Sequence, residues 1–276
     1  MSGGAERNAD AACRNPKLAD SLNSIKGNIE VTKLDINSGN DFENISAAYK
    51  NENIDILINN AGIIGLNKKI IGEINYEDWK NVFQTNVLGP TMMVERLLSQ
   101  IARSEKKLIV SVSSKLGSIS ENSSGGQYAY RASKAALNAV NKSLSVDLID
   151  KGITTIVISP GWVKTDMGGQ NADITIQDSV TQMCQVIERV DINDTGKFFN
   201  FDGKILRRLY GFLYSIRVYN LNRKKIYMKM SKKFEPLIAG FFASIIIGLL
   251  SFLSFETSTG FWLMFSFGST TLIVLV

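Results

Sequence analysis

The chain of 276 residues contains no histidine. That excludes Ser-His and Cys-His nucleophilic mechanisms and most zinc sites. Cysteine is nearly absent too. Cys13 and Cys184 cannot build a disulfide framework, so a reducing compartment is expected. The opening stretch MSGGAERNAD lacks the apolar core of a secretory signal. Basic residues are scarce in most of the chain. Residues 1–203 hold 21 Lys/Arg against 24 Asp/Glu, whereas residues 204–276 hold 10 Lys/Arg against 2 Glu. The net charge of +5 therefore belongs to the tail, and no nucleic-acid face is expected on the main body.

What is present is alternation. Residues 28–34 (NIEVTKL), 54–59 (IDILIN), 107–113 (KLIVSVS) and 154–159 (TTIVIS) are short, apolar and β-branched, as strands buried on both faces should be. Helical patterns at 16–26, 41–51, 76–104 and 129–149 lie between them. Pro16 suits the first turn of the first of these. Strand and helix in turn predict an α/β fold with a parallel, doubly wound sheet. The domain reading is a disordered 1–9, an α/β domain over 10–203, a basic linker over 204–235 and a hydrophobic end over 236–276.

The hydrophobic end has 19 uncharged residues at 237–255, then Glu256, then 20 more at 257–276. A spanning helix needs about 20 apolar residues, so a transmembrane helical hairpin is expected. A buried pair of core helices is the competing reading. The basic stretch at 204–233 would keep its side, and the α/β domain, cytosolic. Without a membrane hairpin the chain would be cytoplasmic. The second apolar run reaches the last residue, which suggests a fragment of a longer, multi-pass protein.

The chemistry centres on YAYRASK, where Tyr130 and Lys134 are four residues apart on one helical face. Such a pair alone is usually a solvated surface pair. Four further elements raise its significance. Ser114 ends a strand in SVSSKLGS, with Ser113 as the alternative serine. Asn86 lies in NVFQTNVLG. Asn60, Ala61 and Gly62 follow a strand in INNAG. SPGWVKTDM turns at Pro160 and Gly161 and carries Thr165. All lie at carboxyl ends of expected parallel strands or on the helices behind them, where open α/β sheets bind ligands.

With CRNP and GKFFNFDG, these motifs resemble the short-chain dehydrogenase/reductase family over about residues 10–203. Within it they are most similar to the C-factor-like, sniffer-type carbonyl reductases. The resemblance implies a Rossmann-type fold and an NADP-dependent reductase that turns a small carbonyl compound into an alcohol. Tyr130 would be the acid/base and Lys134 its partner. Ser114 would hold the carbonyl oxygen, and Asn86 would hold a water that returns protons to Lys134. A tyrosine has an ordinary pKa of about 10, so Lys134 and the nicotinamide ring would have to lower it. A fall of roughly 3 units corresponds to about 4 kcal/mol. Arg14 would meet the 2′-phosphate, Asp35 the adenine amino group, and Asn60, Ala61 and Gly62 the adenosine ribose. Pro160, Gly161 and Thr165 would stand by the nicotinamide. Outside the resemblance, Asp35 reads equally as a turn aspartate and Arg14 as a solvated surface residue.

The family pattern opens with a strand, a T-G-x-x-x-G-x-G turn and a helix, and no such motif occurs here. The pattern is expected to be truncated at its amino end. In the strand order 3-2-1-4-5-6 the lost strand is central, so the strands at 28–34 and 54–59 should either pair directly or leave the first 50 residues loosely held. Weak or no NADP binding follows. A cofactor-free binding module and an accessory region of a membrane protein are the alternative functions. Substrate loops are expected at 63–74 and 166–178, and a homodimer through the long helices is expected by analogy.

Overall fold

A computed structural model describes residues 9–19, 24, 29–66, 71–207, 264–267 and 270–273. The chain forms two compact units, Met1–Tyr210 and Gly211–Val276. The first is the α/β unit. Its strands are β1 (Ala9–Cys13), β2 (Ile29–Lys33), β3 (Ile56–Asn59), β4 (Leu108–Val112), β5 (Thr154–Ser159) and β6 (Phe198–Asn200). Its helices are α1 (Gly39–Ala48), α2 (Tyr76–Phe83), α3 (Gly89–Arg103), α4 (Tyr128–Asp147) and α5 (Ile176–Arg189).

The strands form two parallel sheets rather than one. β3-β4-β5-β6 make a four-stranded sheet, and β1 pairs only with β2. β2 does not pair with β3, so the direct-pairing expectation fails. Neither is the amino-terminal region without structure, since Ala9–Cys13 runs in register with Ile29–Lys33. Of the stretch expected to be disordered over 1–9, Ala9 lies in β1, and residues 1–8 lie outside the described residues.

Side-chain packing on helices ties the β1–β2 layer to the larger sheet. Ile36, Phe42 and Ile45 join Leu57, Met93, Val94, Leu97 and Ile101 in one buried cluster. Asn37 donates to the Thr85 hydroxyl at 3.1 Å, and Arg103 donates to the Lys50 and Glu52 carbonyls at 3.0 and 2.8 Å. A second cluster covers the opposite face. There Leu108, Val110, Ile156 and Ile158 pack with Val186 and Val190 of the α5 region. Every residue of β5 is buried, which explains its unbroken β-branched run. Ile58 of β3 is 49% exposed, because among the described residues nothing covers that end of the sheet.

The helix expected over 76–104 runs without interruption from Tyr76 to Arg103, but not as α-helix throughout. α2 passes into a π-helical turn at Gln84–Leu88 before α3 begins. Pro90 has no N–H, so the carbonyl of Asn86 loses its α-helical donor, and the ladder shifts to the wider spacing. The helix expected over 16–26 is, in its described part, only a 3₁₀ turn at Pro16–Leu18 that ends at Ala19; residues 20–23, 25 and 26 lie outside the described residues.

The expected membrane hairpin is corrected in its second half. Met264–Phe267 and Thr270–Ile273 are antiparallel strands, not helix. Their aromatic and β-branched residues favour extended backbone. Among the described residues, no helix is long and apolar enough to cross a membrane. The first expected span, 237–255, lies outside the described residues.

Candidate active site

α4 buries a polar face. Tyr130, Ser133, Lys134, Asn138, Asn141 and Ser145 are all buried, alongside Leu137. A helix normally turns such residues to solvent. Here they meet the ends of β4 and β5 and the π turn.

Tyr130 is 8% exposed and Lys134 4%. The Lys134 ammonium lies 5.8 Å from the centre of the Tyr130 ring and donates to the Val112 carbonyl at 2.8 Å. Ser114, just past β4, lies beside the Tyr130 phenol and draws its pKa downward. Its hydroxyl oxygen also accepts the Leu116 N–H at 3.2 Å, which fixes the turn that presents it. Ser113 points elsewhere and donates to Asn138 Oδ1 at 2.7 Å. Of the two candidate serines, Ser114 is the one that meets Tyr130.

Asn86 occupies the π turn and is fully buried. Its amide accepts the Ile63 N–H at 2.8 Å and donates to the Ile63 carbonyl and the Ser133 hydroxyl, each at 2.9 Å. Both amide hydrogens are therefore engaged within the protein. Ser133 in turn donates to the Tyr130 carbonyl at 2.8 Å. Sequence reasoning missed Ser133 and Asn138. Their spacing along the Tyr130–Lys134 face was the signal available.

The expected lowering of the Tyr130 pKa is reversed in the protein by itself. Burial pushes the phenol above its ordinary value, and Ser114 offsets this only in part. Burial also lowers Lys134 to about 8. The low-dielectric pocket disfavours both charges, and this outweighs their mutual attraction.

The strand-end glycine of INNAG has an internal reason. A Cβ on Gly62 would lie 3.2 Å from Asn86 Oδ1 and 3.3 Å from Lys134 Nζ. Asn60 and Ala61 beside it are exposed. Asp35 caps a turn, accepting the Asn37 N–H at 2.9 Å. Arg14 is exposed just past β1. Pro160 accepts the Ser179 hydroxyl at 2.7 Å as the chain leaves β5 through Gly161. Thr165 is exposed and bonds locally, donating to the Val163 carbonyl at 3.3 Å and accepting from Gly168 at 3.1 Å. A shallow recess lined by Ile64, Ile74, Trp79, Tyr128 and Tyr130 opens on the amino-terminal side of α4, away from Lys134.

A family model described as short chain dehydrogenase matches residues 5–175. The chain belongs to the short-chain dehydrogenase family. Like the family, it is an α/β oxidoreductase with Rossmann-like parallel sheets. C-signal of Myxococcus xanthus is 41% identical over 150 residues, covering 54% of this chain and 90% of that protein. An uncharacterized oxidoreductase of Saccharomyces cerevisiae is 31% identical, covering 68% of this chain and 80% of its own length. Among solved structures, the carbonyl reductase Sniffer of D. melanogaster superposes with a TM-score of 0.69 at 33% identity, covering 72% of this chain and 88% of that one. NADPH-bound carbonyl reductase from chicken fatty liver gives 0.68 at 29% identity, covering 75% and 90%. This short-chain dehydrogenase family member thus covers most of the length of both carbonyl reductases.

Proposed function

We propose that this chain reduces a small carbonyl compound to an alcohol, with Tyr130 as proton donor and NADP(H) as hydride carrier. The observation that carries the reading is the burial of Tyr130, Lys134 and Asn86 beside Ser114 at the carboxyl ends of β3 and β4, with the Lys134 ammonium 5.8 Å from the centre of the Tyr130 ring and Ser133 linking Asn86 to the Tyr130 carbonyl. A solved relative holding NADPH supports the choice of cofactor.

The residues fit one half of that cofactor. Asn60, Ala61 and Gly62 leave the end of β3 open to a flat group, and Pro160, Gly161 and Thr165 border the same end of the sheet. Arg14 would offer a guanidinium to a 2′-phosphate. For the pyrophosphate, the described residues show no glycine-rich turn leading into a helix between the two sheets. When bound, the nicotinamide supplies hydride to the carbonyl carbon. Ser114 donates to the carbonyl oxygen and holds it against Tyr130. Tyr130, a neutral phenol that burial holds further from ionisation, passes its proton to the developing alkoxide. Lys134 as ammonium stabilises the tyrosinate left behind.

NADPH is expected to bind with Kd weaker than about 100 μM, equivalent to about 5.5 kcal/mol, because the described residues show no glycine-rich turn to offer backbone donors to the pyrophosphate. Fluorescence titration measures this, and binding at a few micromolar would overturn it. Turnover is read as carbonyl-dependent NADPH oxidation at millimolar cofactor. It should fall as pH rises through about 8, where Lys134 loses its proton. A rate flat from pH 7 to 10 would remove Lys134 from the mechanism, and no turnover with any carbonyl would remove the reductase reading.

A further inference from the structure

The turn that carries Ser114 is fastened to α4 on both sides, and one side chain makes both attachments. Asn138 lies one helical turn beyond Lys134 and is 2% exposed. Its Oδ1 accepts the Ser113 hydroxyl at 2.7 Å, immediately before Ser114. Its Nδ2 donates to the Gly117 carbonyl at 3.3 Å, at the far end of the Lys115–Gly117 turn. Between these anchors the backbone presses closely on the helix. A Cβ added at Gly117 would stand 2.8 Å from both the backbone carbon and the Cβ of Lys134. Lys134 itself bonds the Val112 carbonyl, one residue before Ser113.

We propose that Asn138 is a positioning residue. By gripping Ser113 and Gly117, it sets the distance and direction from the Ser114 hydroxyl to the Tyr130 phenol. It touches neither substrate nor cofactor. The geometry gives a reason for an amide at this position. One group must accept and the other must donate, and both partners are buried. A carboxylate lacks the donor, and an aliphatic side chain lacks both. Leaving either buried partner unpaired would let the turn shift. Ser114 is also the neighbour that holds the Tyr130 pKa down against burial, so any slack in the turn is reported by that titration.

The inference concerns the same site as the reductase reading, but its test needs no turnover. The probe is the full chain carrying tyrosines labelled with ¹³C at the phenol carbon, titrated by NMR. The Tyr130 signal is assigned by its loss in Tyr130→Phe. Ser114→Ala should move the Tyr130 titration upward. Asn138→Ala should move it the same way by a similar amount, and the double variant should move it no further. Ser113→Ala, a milder change, should give a smaller upward shift, and Ser113→Thr should restore the original value. If Ser114→Ala shifts the titration and neither Asn138→Ala nor Ser113→Ala does so, the proposal fails and Asn138 is only a packing residue. Should Asn138→Ala not fold, the Ser113 pair decides alone. If the titrations behave as stated but no carbonyl is reduced, the reductase reading falls and the positioning role stands.

Discussion

Tyr130→Phe loses carbonyl-dependent NADPH oxidation by about 10²- to 10⁴-fold, the range for removing a positioned general acid. The phenol meets Ser114 and lies within reach of the Lys134 ammonium. Phenylalanine keeps the ring, its burial and its packing. What disappears is the only proton that Ser114 and Lys134 are jointly placed to serve. The affinity for NADPH should stay within about twofold, a difference below 1 kcal/mol, because the lost hydroxyl is asked to act on the developing alkoxide. Steady-state kinetics on the purified full chain separates the two effects. Turnover within tenfold of the parent would put the proton source elsewhere.

Lys134→Met should do the opposite to stability. The ammonium is almost wholly buried, and its pKa falls from an ordinary 10.5 to about 8. Below pH 8 both folded and unfolded chains hold the proton, and the folded chain bears the full cost of burying the charge. That cost is about 3 kcal/mol at 1.36 kcal/mol per pKa unit. Between pH 8 and 10.5 the unfolded chain binds more protons than the folded one, so stability rises with pH. Above that range both forms are neutral and the cost has gone. Methionine avoids it throughout but gives up the bond to Val112, worth about 1 kcal/mol. A net gain of about 2 kcal/mol is expected at pH 7, shrinking towards zero near pH 9.5. Tyr130, raised by burial, works in the other direction only above its ordinary value of 10.0, so the window between is clean. Urea unfolding at the two pH values checks the prediction. A variant less stable than the parent at pH 7, or a gain equal at both, would sink it. Activity should vanish in the same variant, so the site is held at the expense of the fold.

The parts of this molecule that were legible in its sequence were those where one signal dominated. β3, β4 and β5 are short β-branched runs, and they lie where those runs lie. Tyr130 and Lys134 lie near one another as their spacing suggested, because they share one helical face, and Asn86 and Ser114 lie on the π turn and just past β4. β1 was not legible as a strand: Ala9–Cys13 is small and partly polar, and only its pairing with β2 makes it extended. α5 was legible but unread. Thr175 caps it through the Asp178 N–H, and Val186 and Val190 bury their side chains against the sheet. The π turn was hidden, because Pro90 can end a helix, kink it or widen it, and tertiary packing decides. Ser133 and Asn138 were hidden for a different reason. Amides and hydroxyls on a helix ordinarily read as a wet surface, and here the wet-looking face is the one that builds the site. The direction of the Tyr130 pKa was misjudged because pairwise charge is readable in a sequence and depth is not.

Hydrogen bonding between neighbouring strands is what usually makes a sheet rise and fall as one body. Among the described residues that ladder stops between β1–β2 and β3, and side chains of α1, α3 and the loop at Ile36, with loop bonds such as Asn37 to Thr85, cross the interruption. Amide protons on the two sides are therefore free to exchange with solvent at different rates. Faster exchange in Ala9–Cys13 than in β4 and β5 is the expected result, because separate ladders need not open together.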